Sequence, residues 1–514
     1  YFRGGVGIGK RQGATRVSTA TSRRLDDLAN GYAVTYSSGT RTKTHYNIRL
    51  AGVTAAMVIA QFEALYGKPD YTVAIGESGG AVQQYLIAQN QPGLLDALIP
   101  IYSYPDMISQ TIWAFDCELL EYYFDVTAKD QRRWRDQEQR SLVMGLAADN
   151  EVVNYFNRFD TWSRLIKLRM PRMIRGATEC SLSWRGLIPL TNNPTFTSEF
   201  ARYKPAVMQQ TRFSHWHDLK DFYGTDQYGY AHRTFDNEGV QYGLGVLVTG
   251  ALTPVEFLHL NAHIGSWKHP KDMRRERFWL VSGDDEFGRL SIWSHHNMRT
   301  LRSKSLTLKQ FEVANPSSIP VAPRNRGNAN AIQAAYDSGH VFMGGIDLPI
   351  IDVRHYLDDQ LDMHHSFASL SVRARLQRAT GDSDNMLIWM SEPDYNATSR
   401  ALALLGTWLQ NGKPPQAEDA CFSSSGAVIA QGDTVWDGQW NGKPSGACTQ
   451  RFPQYRSPRN VAGAPITGDT FKCELQPVED ALHNGTYGSV DMAPFAAHLA
   501  RIFPTGVCRY RTAS

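Results

Sequence analysis

The chain has 514 residues, 42% of them hydrophobic and 20% charged, enough for a large catalytic core with insertions or a second domain and with no compositional sign of disorder. Its 53 basic and 50 acidic residues leave a formal net charge of +3, which gives no electrostatic case for nucleic acid. The arginines at Arg132, Arg133 and Arg135 and at Arg274, Arg275 and Arg277 are interleaved with acids and read as solvated helix faces, and the absence of an 18-residue apolar run argues against a membrane span.

The chain opens on "YFRGGVGIGKRQG". Tyr1 and Phe2 read as the last residues of a strand that runs into a glycine-rich loop. A domain seldom starts in mid-strand, so an N-terminal segment of the same precursor is expected to supply the preceding strands, with Tyr1 hydrogen-bonded on both sides inside the sheet. The loop Arg3-Gly4-Gly5-Val6-Gly7 lacks the Walker spacing of a phosphate cradle. Its position before a candidate nucleophile fits one half of an oxyanion hole, with Gly5 and Val6 supplying backbone N–H groups. A short helix, a Gly-Tyr turn and a strand at residues 33–36 follow, then an amphipathic helix that ends at Gly67, before Pro69.

Val73, Ala74 and Ile75 end a buried strand, and Ala81, Val82, Tyr85, Leu86 and Ala88 recur at helical spacing. Between them lies Gly76-Glu77-Ser78-Gly79-Gly80, a Gly-x-Ser-x-Gly turn. So tight a strand-to-helix turn forces its serine into strained backbone geometry and projects the hydroxyl from the sheet edge. Ser78 is therefore the candidate nucleophile. The Gly79 N–H, at a helix N-terminus, is the second oxyanion donor. A structural βα turn without chemistry is the competing reading.

The alternation up to a next strand at residues 98–102 is that of a mostly parallel sheet with helices on both faces. Residues 107–275 are rich in aromatics, Arg and His and read as a helical cap; its His215 and His217, spaced i, i+2 without a third ligand, read as structural rather than metal-binding. Strand character returns at residues 277–283 and at 347–359, the latter running into Asp352, His355, Asp358, Asp359, Asp362, His364 and His365. A helix, a last strand at 385–391 and a further helix follow.

A nucleophilic serine needs a base and an acid that orients it. On a hydrolase sheet the acid follows the penultimate strand and the histidine the last, but the last loop here offers only Ser391, Glu392, Pro393, Asp394 and Tyr395. His364 is the expected base and Asp358 its orienting acid. His365 points elsewhere in an extended loop, and Asp352 is the runner-up acid, inside an apolar strand where it needs His355 or Arg354 as partner. The alternative for His364 is capping of the helix that starts near Ser366.

Six widely spaced cysteines without a Cys-x-x-Cys pair suit disulfides in an oxidising compartment. Closure between neighbours predicts Cys117 with Cys180, Cys421 with Cys448 and Cys473 with Cys508, the last two stapling a tail poor in regular structure. The sequons at Asn396 and Asn484 are compatible with secretion, although no signal peptide is visible.

The stretches "GESGGAVQQYLIAQNQPGLLDALIPIYSYPD", "FDNEGVQYGL", "PIIDVRHYLDD" with "DMHHS", and "FKCELQPVED" through "IFPTGVC" together resemble secreted bacterial α/β-hydrolases distantly similar to tannase, feruloyl esterase and hydroxybutyrate-oligomer hydrolase. The resemblance covers nearly the whole chain. It implies a secreted or periplasmic enzyme. The disulfide that ties serine and histidine loops in tannases has no counterpart here, since Glu77 precedes Ser78. The expected organisation is a hydrolase core at 1–106 and 276–412, a cap at 107–275 and a disulfide-rich tail at 413–514. The expected activity is cleavage of carboxylic esters, small or oligomeric, with no metal or organic cofactor. A peptidase or amidase using the same machinery and a non-catalytic binding protein are the alternatives.

Overall fold

Six apolar stretches pair into one sheet in the computed structural model: β1 (Val73–Glu77), β2 (Ala97–Ile101), β3 (Ile350–His355), β4 (Met386–Ser391), β5 (Ala420–Phe422) and β6 (Val428–Gln431). They lie side by side in that order. All neighbours are parallel except β5 and β6. The described residues are all but 7–12, 14–15, 129, 155–164, 166–174, 186, 195–214, 275–296, 302–303, 439–444 and 511–514. The strand expected at 277–283 lies outside them.

The chain divides into two units. The first comprises Tyr1–Ile108, Ala335–Asp358 and His364–Gln454; the second comprises Ser109–Ala334, Asp359–Met363 and Tyr455–Ser514.

In the first unit the helices are α1 (Val17–Arg23), α2 (Leu25–Ala29), α3 (Ile48–Tyr66), α4 (Gly79–Asn90), α5 (Phe367–Thr380) and α6 (Thr398–Asn411). β2 and β4 are buried at every position, as expected of parallel strands covered on both faces. On one face Ala401, Leu402 and Leu405 of α6 pack on Ile75, Ile99, Ile351, Val353 and Leu387. On the other, Tyr85 of α4 reaches Asp352 of β3 with a 2.9 Å hydrogen bond. Two ion pairs brace α5: Arg373 with Asp419 and Arg375 with Asp106, each at 2.6 Å. Burial lowers the proton affinity of His340, to a pKa of about 4.

Tyr1 itself is not paired on both sides within the sheet, contrary to expectation; bridging begins at Phe2. Phe2 N–H donates to the Ile75 carbonyl at 2.8 Å, and the Tyr1 amino group donates to the Thr35 carbonyl at 2.7 Å. Bridging here is confined to single residues: Phe2 makes one parallel bridge to Gly76 and Arg3 one to Arg41. Residues 33–36 form no strand, contrary to expectation, because pairing there is confined to such isolated contacts. β4 is not the last strand either. Residues 413–454, expected as irregular tail, extend the sheet by β5 and β6, with Cys421 of β5 bonded to Cys448.

Among the described residues α3 is the one helix long and apolar enough to cross a membrane, by length and composition. It buries Ile48, Ala51, Gly52 and Ala55 and exposes Leu50, Val53, Met57 and Leu65. Arg49 and Glu63 interrupt its apolar sequence.

The second unit is built of helices and loops with two- and three-residue strand pairs. Phe257 and Leu258, on the helix Pro254–His263, pack with Leu499, Ile502 and Val507. A capping box of Thr253 and Glu256 starts that helix, satisfying N–H groups that have no partner within the helix. Several buried charges are paired: Arg140 lies 2.7 Å from both Glu121 and Asp125, Arg185 lies 3.2 Å from Glu118, and Arg459 meets Asp116. Disulfides join Cys117 to Cys180 and Cys473 to Cys508, so all three pairs are those expected. His215 and His217 lie on the helix His215–Asp218. His259 and His263 stack at 4.2 Å between ring centroids, and burial lowers their pKa values to about 4 and about 3.

Candidate active site

Ser78 sits between the end of β1 and the start of α4 with φ 56° and ψ −117°. That conformation is costly for a residue with a Cβ, by roughly 1–3 kcal/mol, and it persists only where the surroundings fix it. They do so from both sides. The Ser78 N–H donates to the Ile101 carbonyl of β2 at 2.8 Å, and the Ser78 carbonyl accepts from Ala81 at 2.9 Å. The glycines are required by close approach. A Cβ on Gly80 would strike the Phe2 carbonyl, and one on Gly4 would strike the Glu77 carbonyl and lie 3.1 Å from both Ser78 Cβ and Gly79 N.

The Gly4-Gly5 loop therefore lies directly against the elbow. Thr42 Oγ1 donates to the Gly5 carbonyl at 2.6 Å and Tyr46 Oη donates to it at 3.1 Å. A planar trans peptide with its carbonyl held in this way turns the Val6 N–H to the opposite side. Gly5 itself has φ 112°, open to glycine. Thr42 and Tyr46 escaped the sequence reading, because nothing local links them to a loop some forty residues earlier.

Tyr102 follows Ile101 at the C-terminal end of β2 and is a second non-glycine residue with positive φ, 52°. Its ring packs near two imidazoles, with centroids 5.3 Å from both His355 and His364. Its hydroxyl bonds to His355 Nδ1. His355 ends β3 and is half-buried. Burial lowers its proton affinity, while the Tyr395 backbone and the Asp394 carboxylate act in the opposite direction.

The chain at His364 and His365 is fixed from β3. Arg354, fully buried, donates to the His364 carbonyl at 2.9 Å, to the His365 carbonyl, and to the Ser103 carbonyl at 2.6 Å. His364 is half-buried and stacks obliquely on Tyr102 and Tyr104, whereas His365 is buried. Asp358 accepts from both the backbone N–H and the hydroxyl of Ser366 at 2.8 Å, closing the loop that carries His364. Ser366 is the N-cap of α5.

Asp352 and Glu392 are engaged elsewhere. Asp352 accepts from Tyr85 and Ser103, and burial pushes its carboxyl upward against the pull of Arg354. Side chains alternate along a strand, so Asp352 and Arg354 share one face and His355 lies on the other. Glu392, in the loop after β4, accepts from Ser424 at 2.9 Å and pairs with Arg451. Among the described residues no group of three His, Cys, Asp or Glu side chains is placed to hold a metal ion.

A mostly parallel α/β sheet with a strained serine at a strand-to-helix turn, covered by a glycine loop, defines the class of this protein. The chain belongs to the tannase-like family of unknown function, whose model matches residues 1–514. No curated protein and no solved structure matches it.

Proposed function

We propose that this protein is a serine hydrolase that cleaves carboxylic esters through an acyl-enzyme. The observation that carries the reading is Ser78 at φ 56° and ψ −117° with the Gly4-Gly5 loop packed on it. Membership of a tannase-like family supports an ester substrate over an amide. Ser78 Oγ attacks the ester carbonyl and its proton passes to an imidazole. The N–H groups of Gly79, Gly5 and Val6 hold the oxyanion. Collapse of the tetrahedral species expels the alcohol, which takes the proton back. Water then repeats the sequence and releases the acid. No metal or organic cofactor enters.

His364 is the base of this proposal, carried on a loop that Arg354 and Asp358 fix, with Asp358 as its orienting acid. The pairing of His355 with Tyr102, near the Asp394 carboxylate, favours a second assignment in which His355 serves as base and Asp394 orients it. Three disulfides are typical of extracellular proteins, and we place the enzyme outside the cytoplasm.

Labelling with a fluorophosphonate and turnover of p-nitrophenyl esters test the reading. Ser78→Ala should abolish both. His364→Ala should lose about 10³-fold or more in kcat with the fold retained, and His365→Ala should be mild. Undiminished labelling of Ser78→Ala would sink the hydrolase reading; loss in His355→Ala but not in His364→Ala would move the base to His355.

A further inference from the structure

A cleft of about 540 Å³ opens beside the Gly4-Gly5 loop, lined by Arg3, Arg16, Arg23, Arg41 and Lys43 together with hydroxyl side chains and glycine. No carboxylate lines it among the described residues. In a chain with 53 basic and 50 acidic residues, five cations in one cleft are a local arrangement rather than a reflection of net charge. Glu77, the residue before the nucleophile, lies 3.1 Å from Arg23 and offsets that charge. For Arg3, Arg16 and Lys43 no such carboxylate lies in the lining among the described residues. The cleft adjoins the proposed oxyanion loop: Lys43 Cβ lies 2.9 Å from where a Cβ on Gly5 would sit, and Gly4 abuts Ser78. Arg3 is further placed by a 3.4 Å hydrogen bond to Thr19 on α1.

We propose that this cleft binds an anionic group of the substrate, so that the preferred ester carries a carboxylate or another oxyanion on the part that passes over Gly5. The inference rests on the hydrolase reading for its chemistry but not for its binding. Guanidinium and ammonium groups converging without a carboxylate favour an anion by charge-assisted hydrogen bonds, and their joint potential raises the local concentration of an anionic substrate, an effect that salt screens. A neutral acyl chain gains nothing from such a lining.

Two matched ester pairs read the preference: p-nitrophenyl hemiglutarate against p-nitrophenyl butyrate, with the charge on the acyl side, and 4-carboxyphenyl butyrate against phenyl butyrate, with the charge on the alcohol. In one pair the anionic member should have a kcat/KM at least about tenfold above its neutral partner at low salt. That ratio should fall about tenfold in Arg16→Gln/Lys43→Gln, whose substituted side chains are exposed. Equal values within both pairs, or a ratio unchanged by the double substitution, would overturn the proposal. Calorimetric titration of the full chain with inorganic phosphate separates binding from catalysis. Saturable heat in the native protein and in Ser78→Ala, lost in the double variant, supports the site. No heat in the native protein counts against it. If phosphate binds in that way while no ester turns over and no fluorophosphonate labels Ser78, the hydrolase reading fails alone and the anion site stands.

Discussion

Gly4 has no room for a methyl group, because the Glu77 carbonyl and the Ser78 side chain already fill the space. Gly4→Ala should therefore push the loop off the elbow and remove one oxyanion donor. The expected result is a loss of about 10²–10³-fold in kcat toward p-nitrophenyl esters, with an unchanged circular dichroism spectrum; full activity would show that the loop does not hold the oxyanion. Ser78 itself was legible in the sequence, since its turn chemistry is local and the flanking glycines announce it. Tyr102 was not. Its approach to both His355 and His364 brings together residues of β2 and of β3 and beyond, far apart in sequence, and no short stretch encodes that pairing. The two bonds that Asp358 accepts from Ser366 were not legible either, because eight residues of separation did not say that this N–H and hydroxyl would reach that carboxylate.

At the scale of elements, the cysteine pairs were legible because each closes between neighbours, and the parallel sheet was legible from β-branched runs set between helices. β5 and β6 were missed: β5 is three residues long, and β6 is largely exposed, so neither gives a periodic signal. Residues 33–36 failed in the opposite sense, with strand-like composition but only isolated contacts. The Cys421–Cys448 disulfide joins β5 to the helix Ala447–Arg451 across 27 residues. Closing a loop of that length stabilises by about 3–4 kcal/mol through the unfolded chain. Cys421→Ala/Cys448→Ala should lower the urea midpoint accordingly, and an unchanged midpoint would mean that the surrounding sheet already fixes this edge.

Across the whole molecule, burial holds His259, His263 and His340 neutral, with pKa values of about 4, 3 and 4, against about 6.5 for an unfolded imidazole. Between those values the unfolded chain binds more protons than the folded one. Stability is therefore full above about pH 6.5 and is lost as pH falls toward 4, with a slope approaching about 4 kcal/mol per pH unit if all three contribute. Urea midpoints at pH 7, 6 and 5 should fall in that order; a rise toward pH 5 would show that the imidazoles gain protons on folding. The same scale has a time axis. The chain passes between the two units after residues 108, 334, 358, 363 and 454, and β2 pairs with β3, Ile101 against Val353. At synthesis rates of about 5–20 residues per second, the roughly 250 residues between them take on the order of 10–50 s to emerge. Through that interval β1 and β2 carry the serine turn without β3, and Arg354 and both candidate bases have not yet been made. The growing chain thus carries an unfinished sheet edge, and the proposed nucleophile has neither candidate base until the second half of the protein arrives.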